Sequence, residues 1–269
     1  MVRRAAVAGS FYPGDPDELR RTVVSGIPAP GQAPPPAARA VLVPHAGYIY
    51  SGRVAGEVFS SVALPGRFIL LGPNHTGRGA ALALAPPGEW ETPLGRAPVD
   101  GEMNRALLEA CPPLREDAAA HRDEHALEVQ IPFLQALAPG FRFSAVCVGT
   151  VDYAPLEELG HAMALVIGRM AEPVLLVSSS DMTHYETAEA ASRLDRLAIG
   201  RVLDLDPAGL YETVLEKGIS MCGFGPTVAV LVACRDLGAR AGRLVRYTHS
   251  GEVTGDRARV VAYAGIVIA

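Results

Sequence analysis

The chain is poor in lysine and tryptophan, and its basic residues are not clustered. Lys217 is the only lysine and Trp90 the only tryptophan, while the net charge is −5 and the pI about 5.8. Proteins that bind nucleic acids neutralise phosphates with clustered lysine or arginine side chains. The charge pattern therefore argues against a nucleic-acid partner. The excess of arginine over lysine is interpreted as a bias in genomic base composition.

Long apolar runs and paired cysteines are also missing from the sequence. No charge-free apolar run reaches the roughly 18 residues that suggest a transmembrane helix, and residues 1–6 lack the apolar region of a secretory signal peptide. We therefore expect a cytoplasmic protein with no membrane partner. The four cysteines, at positions 111, 147, 222 and 234, form no CxxC pair and are predicted to be free thiols. All but Cys222 are expected to be small core side chains.

Apolar strand-like runs alternate with helical patterns along 269 residues, of which 49% are hydrophobic. The pattern predicts a single α/β domain over 1–269, with a central, mostly covered sheet flanked by helices. A Pro/Ala/Gly-rich surface loop is predicted at 29–38. The predicted strands are 40–43, 68–71, 142–148, 174–178, 244–248 and 260–267. The predicted helices are 16–26, 52–62, 100–110, 124–136, 155–169, 188–202, 207–215 and 226–236.

Three of the predicted strands are followed by a histidine within a short loop. His45 follows the first strand, His75 the second, and Asp181 and His184 follow the strand at 174–178. Sites in α/β sheets gather at the carboxyl ends of strands, and imidazole suits iron, zinc or copper. Asp181 and His184 are candidates for orienting a ligand or for acid–base catalysis. The alternative is that these side chains only cap helices or stabilise turns.

Cys222 lies in a glycine-rich loop directly before a predicted helix. Amide groups at a helix start stabilise a thiolate, the form that binds metals or reacts. The local sequence does not distinguish a metal ligand from a redox-active thiol, and a buried structural cysteine is the alternative.

His125 and Glu128 are three residues apart and would share one face of a helix. The order of Glu124 and His125 is the reverse of an HExxH motif, and no second histidine follows. We predict that His125, Glu128, Asn74 and Tyr48 either line the pocket or lie directly behind the residues that do. The alternative is a solvated first helical turn.

The sequence resembles the Memo family, known in prokaryotes as AmmeMemoRadiSam system protein B. Six segments in the same order carry the resemblance: AGSFYP (8–13), PHAGY (44–48), GPNH (72–75), DEHALEVQIPF (123–133), SSDMTH (179–184) and SGEVTGD (250–256). They run nearly from end to end of the chain.

The resemblance implies a fold similar to class III extradiol dioxygenases, which use a non-haem ferrous iron. His45 and His75 then match the two histidine ligands, His184 matches the catalytic histidine, and Cys222 stands where those enzymes have a glutamate ligand. Fe(II) is the expected metal. Copper and zinc are alternatives, because a thiolate is a softer ligand than a carboxylate. Dioxygenase activity does not follow from the fold alone.

Two functions remain open from the sequence. The first is a metal-dependent oxidoreductase with an unknown small-molecule substrate, metal ligands His45, His75 and Cys222, and catalytic residues His184 and Asp181. The second is a non-catalytic module that uses the same pocket to bind a peptide, metabolite or metal. The family name implies an AMMECR-type protein and a radical SAM enzyme as partners in either case.

Overall fold

The computed structural model describes residues 1–29 and 34–269. The middle of the surface loop predicted at 29–38 therefore lies outside the described residues. No helix within the described part of the chain is long and apolar enough to cross a membrane.

The described residues form a mixed α/β fold. In chain order its elements are β1 Val2–Arg3, α1 Pro16–Ser25, β2 Ala40–Val43, α2 Tyr48–Ser60, β3 Arg67–Pro73, β4 Leu82–Leu84, β5 Glu89–Thr92, β6 Gly95–Pro98, α3 Gly101–Ala110, β7 Arg115–Glu116, a 3-10 turn Glu128–Gln130, α4 Ile131–Leu137, β8 Arg142–Val148, α5 Tyr153–Arg169, β9 Val174–Ser179, β10 His184–Glu186, α6 Ala188–Leu203, α7 Pro207–Lys217, α8 Phe224–Asp236, β11 Gly242–His249, α9 Gly251–Thr254 and β12 Val260–Ile268.

The main sheet has the strand order β10-β12-β2-β9-β3-β8-β4-β7, with β11 also paired to β12. Its centre is parallel, because β2 pairs with β9, β9 with β3 and β3 with β8 in the same direction. Strands β12 and β4 join this centre in antiparallel pairs. A smaller sheet of β1, β5 and β6 lies beside it.

Both faces of the main sheet are covered by helices. One face packs against α3, α5, α6, α7 and α8, and the other against α1, α2 and α4. All residues of β2, β3 and β9 are buried, which is the continuous apolar pattern expected of a covered parallel sheet. The predicted fold class, an α/β domain with a covered central sheet, is confirmed.

The six predicted strands are all present, with ends that differ by up to two residues. The additional strands β1, β4, β5, β6, β7 and β10 have two to four residues each. Runs of this length are too short to show the alternation from which a strand is predicted.

The helix predicted at 124–136 is wrong in its first half. Residues 121–127 form turns and irregular loop instead, and α4 begins at Ile131. Pro132 has no amide hydrogen with which to continue a helix from the preceding turn, so it suits the start of a new one. The side chain of Glu124 also turns back onto main-chain amides of His75 and Ala126. The sequence there stabilises a loop rather than a helix.

Candidate metal centre

The three histidine-bearing loops meet at one edge of the sheet. Strands β2, β9 and β3 are adjacent and parallel, so their carboxyl ends lie side by side. The loops that follow them line a cavity of about 550 Å³. Its lining residues are Phe11, His45, Ala46, Gly47, Tyr50, His75, His125, Asp181, His184, Tyr185, Ser220, Cys222, Val261 and Tyr263.

Three imidazoles are clustered in this cavity. One nitrogen from each of His45, His75 and His125 lies within 4.8 Å of the other two, an arrangement that could hold a metal ion. The rings of His75 and His125 are stacked at 4.6 Å between centroids, and His45 meets both edge-on. His125, predicted only as part of the wall, is therefore a third candidate ligand.

Cys222 lies beside the imidazole cluster, two residues before α8. Its Sγ is 3.2 Å from Nε2 of His45. Sulfur and nitrogen ligands of one tetrahedral ion, at bond lengths of about 2.3 and 2.0–2.1 Å, stand roughly 3.5 Å apart. The pair is therefore spaced as two ligands of one ion would be. The group of ligand atoms that all lie within 4.8 Å of one another comprises His45, His75 and His125 and does not include Cys222, so the thiol borders this group at His45.

The surroundings of Cys222 favour the thiol over the thiolate when no metal is bound. Burial, and then the nearby carboxyl of Asp181, raise the pKa of Cys222 well above its ordinary value. This rise in the pKa outweighs the stabilisation of a thiolate that was predicted from the nearby start of α8. Metal binding would displace the thiol proton, as it does at other thiolate sites.

The ring of His45 is held so that its Nε2 carries no proton. Its Nδ1 is 2.9 Å from Oγ of Ser179, whose own hydroxyl donates to the carbonyl of Ala126 and accepts from Nε2 of Gln130. Because Ser179 has already used its proton, Nδ1 of His45 must be the donor. Burial also lowers the pKa of His45 far below its ordinary value, so the ring is neutral. Its Nε2 lone pair then faces Cys222.

The ring of His75 is fixed by a carboxylate. Nδ1 of His75 donates to Oε1 of Glu124 at 2.9 Å, while the main-chain amide of His75 donates to Oε2 of the same group at 2.6 Å. Burial alone would raise the pKa of Glu124, but these bonds outweigh it and hold the pKa below its usual value. In the neutral ring of His75, Nε2 is therefore the unprotonated nitrogen.

His184 has the same tautomer for a simpler reason. Its Nδ1 is 2.9 Å from the carbonyl oxygen of Ser220, which can only accept a hydrogen bond. Nε2 is then the basic nitrogen, as general acid–base chemistry requires. His184 starts strand β10 and so ends the loop that follows Ser179, the last residue of β9.

Asp181 is buried below the loop that carries His45. Its Oδ1 accepts the main-chain amide of His45 at 2.8 Å. Burial raises the pKa of Asp181 to about 6, although hydrogen bonds from the amides of His45 and Ala46 oppose this shift. Its contacts with these amides fix the position of the His45 loop.

Glu128 lies behind the pocket and does not line it. Its carboxylate accepts hydrogen bonds from Arg3, from the hydroxyl of Tyr12 and from the amides of Ala6 and Val7. It therefore holds the N-terminal segment in place, and the carboxylate at His75 is that of Glu124 instead. Sequence reasoning treated Glu124 only as an acid in a helical first turn.

Asn74 and Tyr48 also lie outside the pocket lining. Asn74 accepts from Oγ1 of Thr76 and donates to the carbonyl of Arg78, so it shapes the loop after β3. The hydroxyl of Tyr48 donates to the carbonyl of Val129 at 2.6 Å within the core. Both residues support the loops rather than face a ligand.

The donor set in the pocket fits a transition metal. It offers up to three imidazoles and one thiol, and in His45 and His75 the ring nitrogen that does not contact Ser179 or Glu124 is available. Imidazole and thiolate ligands suit iron, zinc and copper better than magnesium or calcium. A ligand set in which a thiolate replaces a carboxylate is softer than two histidines and a carboxylate.

Comparison with known proteins places the whole chain in one family. A family model described as Memo-like protein matches residues 3–267. The chain belongs to the Memo-like family. A MEMO1 family protein of Methanopyrus kandleri is 42% identical over 99% of both chains. Another, from Aquifex aeolicus, is 40% identical over 99% of this chain and 98% of its own. The predicted Memo resemblance is confirmed.

The fold also matches a solved structure of low sequence similarity. The crystal structure of an uncharacterized protein of Escherichia coli K12 superposes with a TM-score of 0.58 and 12% identity. It covers 85% of this chain and 98% of the other. This likeness concerns the Memo-like fold alone, since chemistry depends on the residues of the site.

Proposed function

We propose that this Memo-like protein is a metal-dependent oxidoreductase acting on a small molecule. His45, His75 and Cys222 would hold an Fe(II) ion, with copper or zinc as alternatives, and His125 is positioned to join them. The observation that carries the proposal is how the two rings are hydrogen-bonded. Nδ1 of His45 faces Ser179 and Nδ1 of His75 faces Glu124, so in the neutral rings both Nε2 lone pairs are free for a shared ion.

A ferrous ion in this site would supply redox chemistry and an open position for oxygen, as at other iron sites with few protein ligands. The chain itself would orient the substrate and move its proton. Nε2 of His184 would accept that proton, because Nδ1 is committed to the carbonyl of Ser220. Asp181 would hold the His45 loop through its main-chain amide. The aromatic side chains of Phe11, Tyr50 and Tyr263 would exclude water.

Anaerobic calorimetry with Fe(II) tests the metal site. His75→Ala is expected to weaken Fe(II) binding at least tenfold. Even the loss of a residue that only hydrogen-bonds to a metal ligand typically lowers metal affinity about 10–100-fold. His161→Ala is the matched control, since His161 is an exposed histidine paired with Asp236 away from the pocket. Equal affinity of the wild type and His75→Ala would remove the metal hypothesis.

A second function, ligand binding without turnover, is favoured by the mouth of the pocket. Tyr185 is 65% exposed there, with a left-handed backbone conformation (φ 64°) and the guanidinium of Arg259 over its ring. Exposed aromatic and arginine side chains are common at binding surfaces. An AMMECR-type protein or a radical SAM enzyme would be a partner under either function. Bound iron without an oxygen-dependent product from candidate substrates would favour this second function.

A further inference from the structure

Glu124 is a buried carboxylate beside the metal centre, and both of its oxygens accept hydrogen bonds. Only 1% of its surface is exposed. Oε1 accepts from Nδ1 of His75 and from the amide of Ala126, each at 2.9 Å, and Oε2 accepts from the amide of His75 at 2.6 Å. Two of the three donors belong to His75, so Glu124 fixes both the main chain and the ring of that histidine.

We propose that Glu124 is the positioning residue of the metal centre. It keeps the proton of His75 on Nδ1 and turns Nε2 towards the cluster, so that His75 is ready to bind an ion. This inference rests on the proposed metal site and adds the residue that prepares it. A histidine ligand whose other nitrogen donates to a carboxylate has a fixed tautomer and a more basic ligating nitrogen.

The two predicted histidine ligands differ in the group that accepts a hydrogen bond from Nδ1. Nδ1 of His45 donates to the neutral hydroxyl of Ser179, whereas Nδ1 of His75 donates to a carboxylate. Hydrogen bonds to an ionised acceptor are about twice as strong as neutral ones. His75 is therefore the more strongly polarised ligand, and loss of the Glu124 charge should weaken it selectively.

Glu124 is itself held in place by the N-terminal segment. Nη2 of Arg3 donates to the main-chain carbonyl of Glu124 at 2.7 Å, and its Nη1 contacts Glu128 at 2.6 Å. The guanidinium of Arg3 also lies 4.2 Å from the centre of the Trp90 ring. These contacts immobilise the main chain at Glu124, so its carboxylate does not need the metal to order it.

The proton on His75 can be observed directly in the metal-free protein. Long-range proton–nitrogen correlation NMR of ¹⁵N-histidine-labelled wild type reports which ring nitrogen is protonated. At a pH where the His75 ring is neutral, we expect its proton on Nδ1 with a bare Nε2, and we expect Glu124→Met, which removes every acceptor, to shift the proton partly to Nε2. A wild-type His75 that carries its proton on Nε2 would overturn the inference, whether or not the variant folds.

Metal affinity provides the second measurement, with a matched variant. In Glu124→Gln one amide oxygen cannot satisfy three donors, so we expect anaerobic Fe(II) affinity to fall about 10–100-fold. Glu128→Gln changes an equally buried carboxylate that contacts Arg3 but no histidine, and should stay within about threefold of the wild type.

The outcomes separate this inference from the metal site itself. Absence of Fe(II) binding in the wild type would refute the proposed function. If the wild type binds, His75→Ala does not and Glu124→Gln binds normally, the metal site stands and the positioning role of Glu124 is refuted. Equal losses in Glu124→Gln and Glu128→Gln would also refute it, because they would trace the effect to general loosening.

Discussion

Gly223 separates Cys222 from helix α8 and leaves no space for a side chain. A Cβ at this position would stand 2.4 Å from the carbonyl oxygen of Ser179 and 2.5 Å from Cβ of Ser180. Favourable carbon contacts begin near about 3.5 Å, so Gly223→Ala requires a movement of about 1 Å. Ser179 ends the central strand β9, which is held between β2 and β3. The start of α8, with Cys222, is therefore the part that should move.

The displacement should remove Cys222 from the metal site. Ligand distances in metal sites are defined to within about 0.2 Å, and a 1 Å shift exceeds this tolerance several times. We expect Gly223→Ala to abolish the thiolate-to-metal charge-transfer absorption of the Co(II)-loaded protein and to cost about 1–3 kcal/mol of stability from overpacking.

Gly225→Ala is the control for the Gly223 substitution. It lies two residues further on, and its Cβ would meet the carbonyl of Thr150 at 3.4 Å, an ordinary contact. This variant should keep the absorption band of the wild type and unfold at a similar temperature. A Gly223→Ala protein with the wild-type charge-transfer band would refute the reasoning about how Cys222 is placed.

Three further predictions concern the thiol, an ion pair and the proposed base. Cys222 should be alkylated before the other three cysteines in the metal-free protein, since only those three are fully buried. Peptide mass spectrometry that finds another cysteine labelled first would contradict this. Arg246 hydrogen-bonds to Glu57 and thereby lowers its pKa from 4.5, so the pair stabilises the fold above that pH and loses its effect as the pH falls. Because Arg246 is about one-third exposed, Arg246→Gln should cost only about 1 kcal/mol at pH 7. Urea unfolding should show this difference in stability closing as the pH falls below 4.5, and a difference that widens in acid would contradict the prediction. His184→Ala should leave Fe(II) affinity nearly unchanged and abolish oxygen-dependent turnover, because a general base need not be a ligand; a large loss of affinity in calorimetry would make His184 a ligand instead.

The convergence of the histidine loops could be predicted from the sequence. His45, His75 and His184 each follow an apolar strand, and the carboxyl ends of parallel strands share one edge of the sheet. The strands proved to be adjacent, which sequence alone does not determine. The order of strands depends on how helices pack over the sheet.

The positions of His125 and Glu124 could not be predicted in this way. Both lie where a helical pattern was expected at 124–136, and a helix would have placed His125 and Glu128 on one face. The loop that forms instead brings Glu124 to His75 and sends Glu128 to the N-terminal segment. Those contacts join residues about 50 and 120 positions apart, and no local pattern reports them.

X-ray absorption spectroscopy of the anaerobic, Fe(II)-loaded protein tests the central claim most directly. We expect two or three nitrogen ligands and one sulfur ligand, at bond lengths of about 2.0–2.3 Å typical of protein metal sites. The sulfur contribution should disappear in Cys222→Ser. A wild-type spectrum without sulfur, or one that Cys222→Ser does not change, would contradict a centre built from His45, His75 and Cys222.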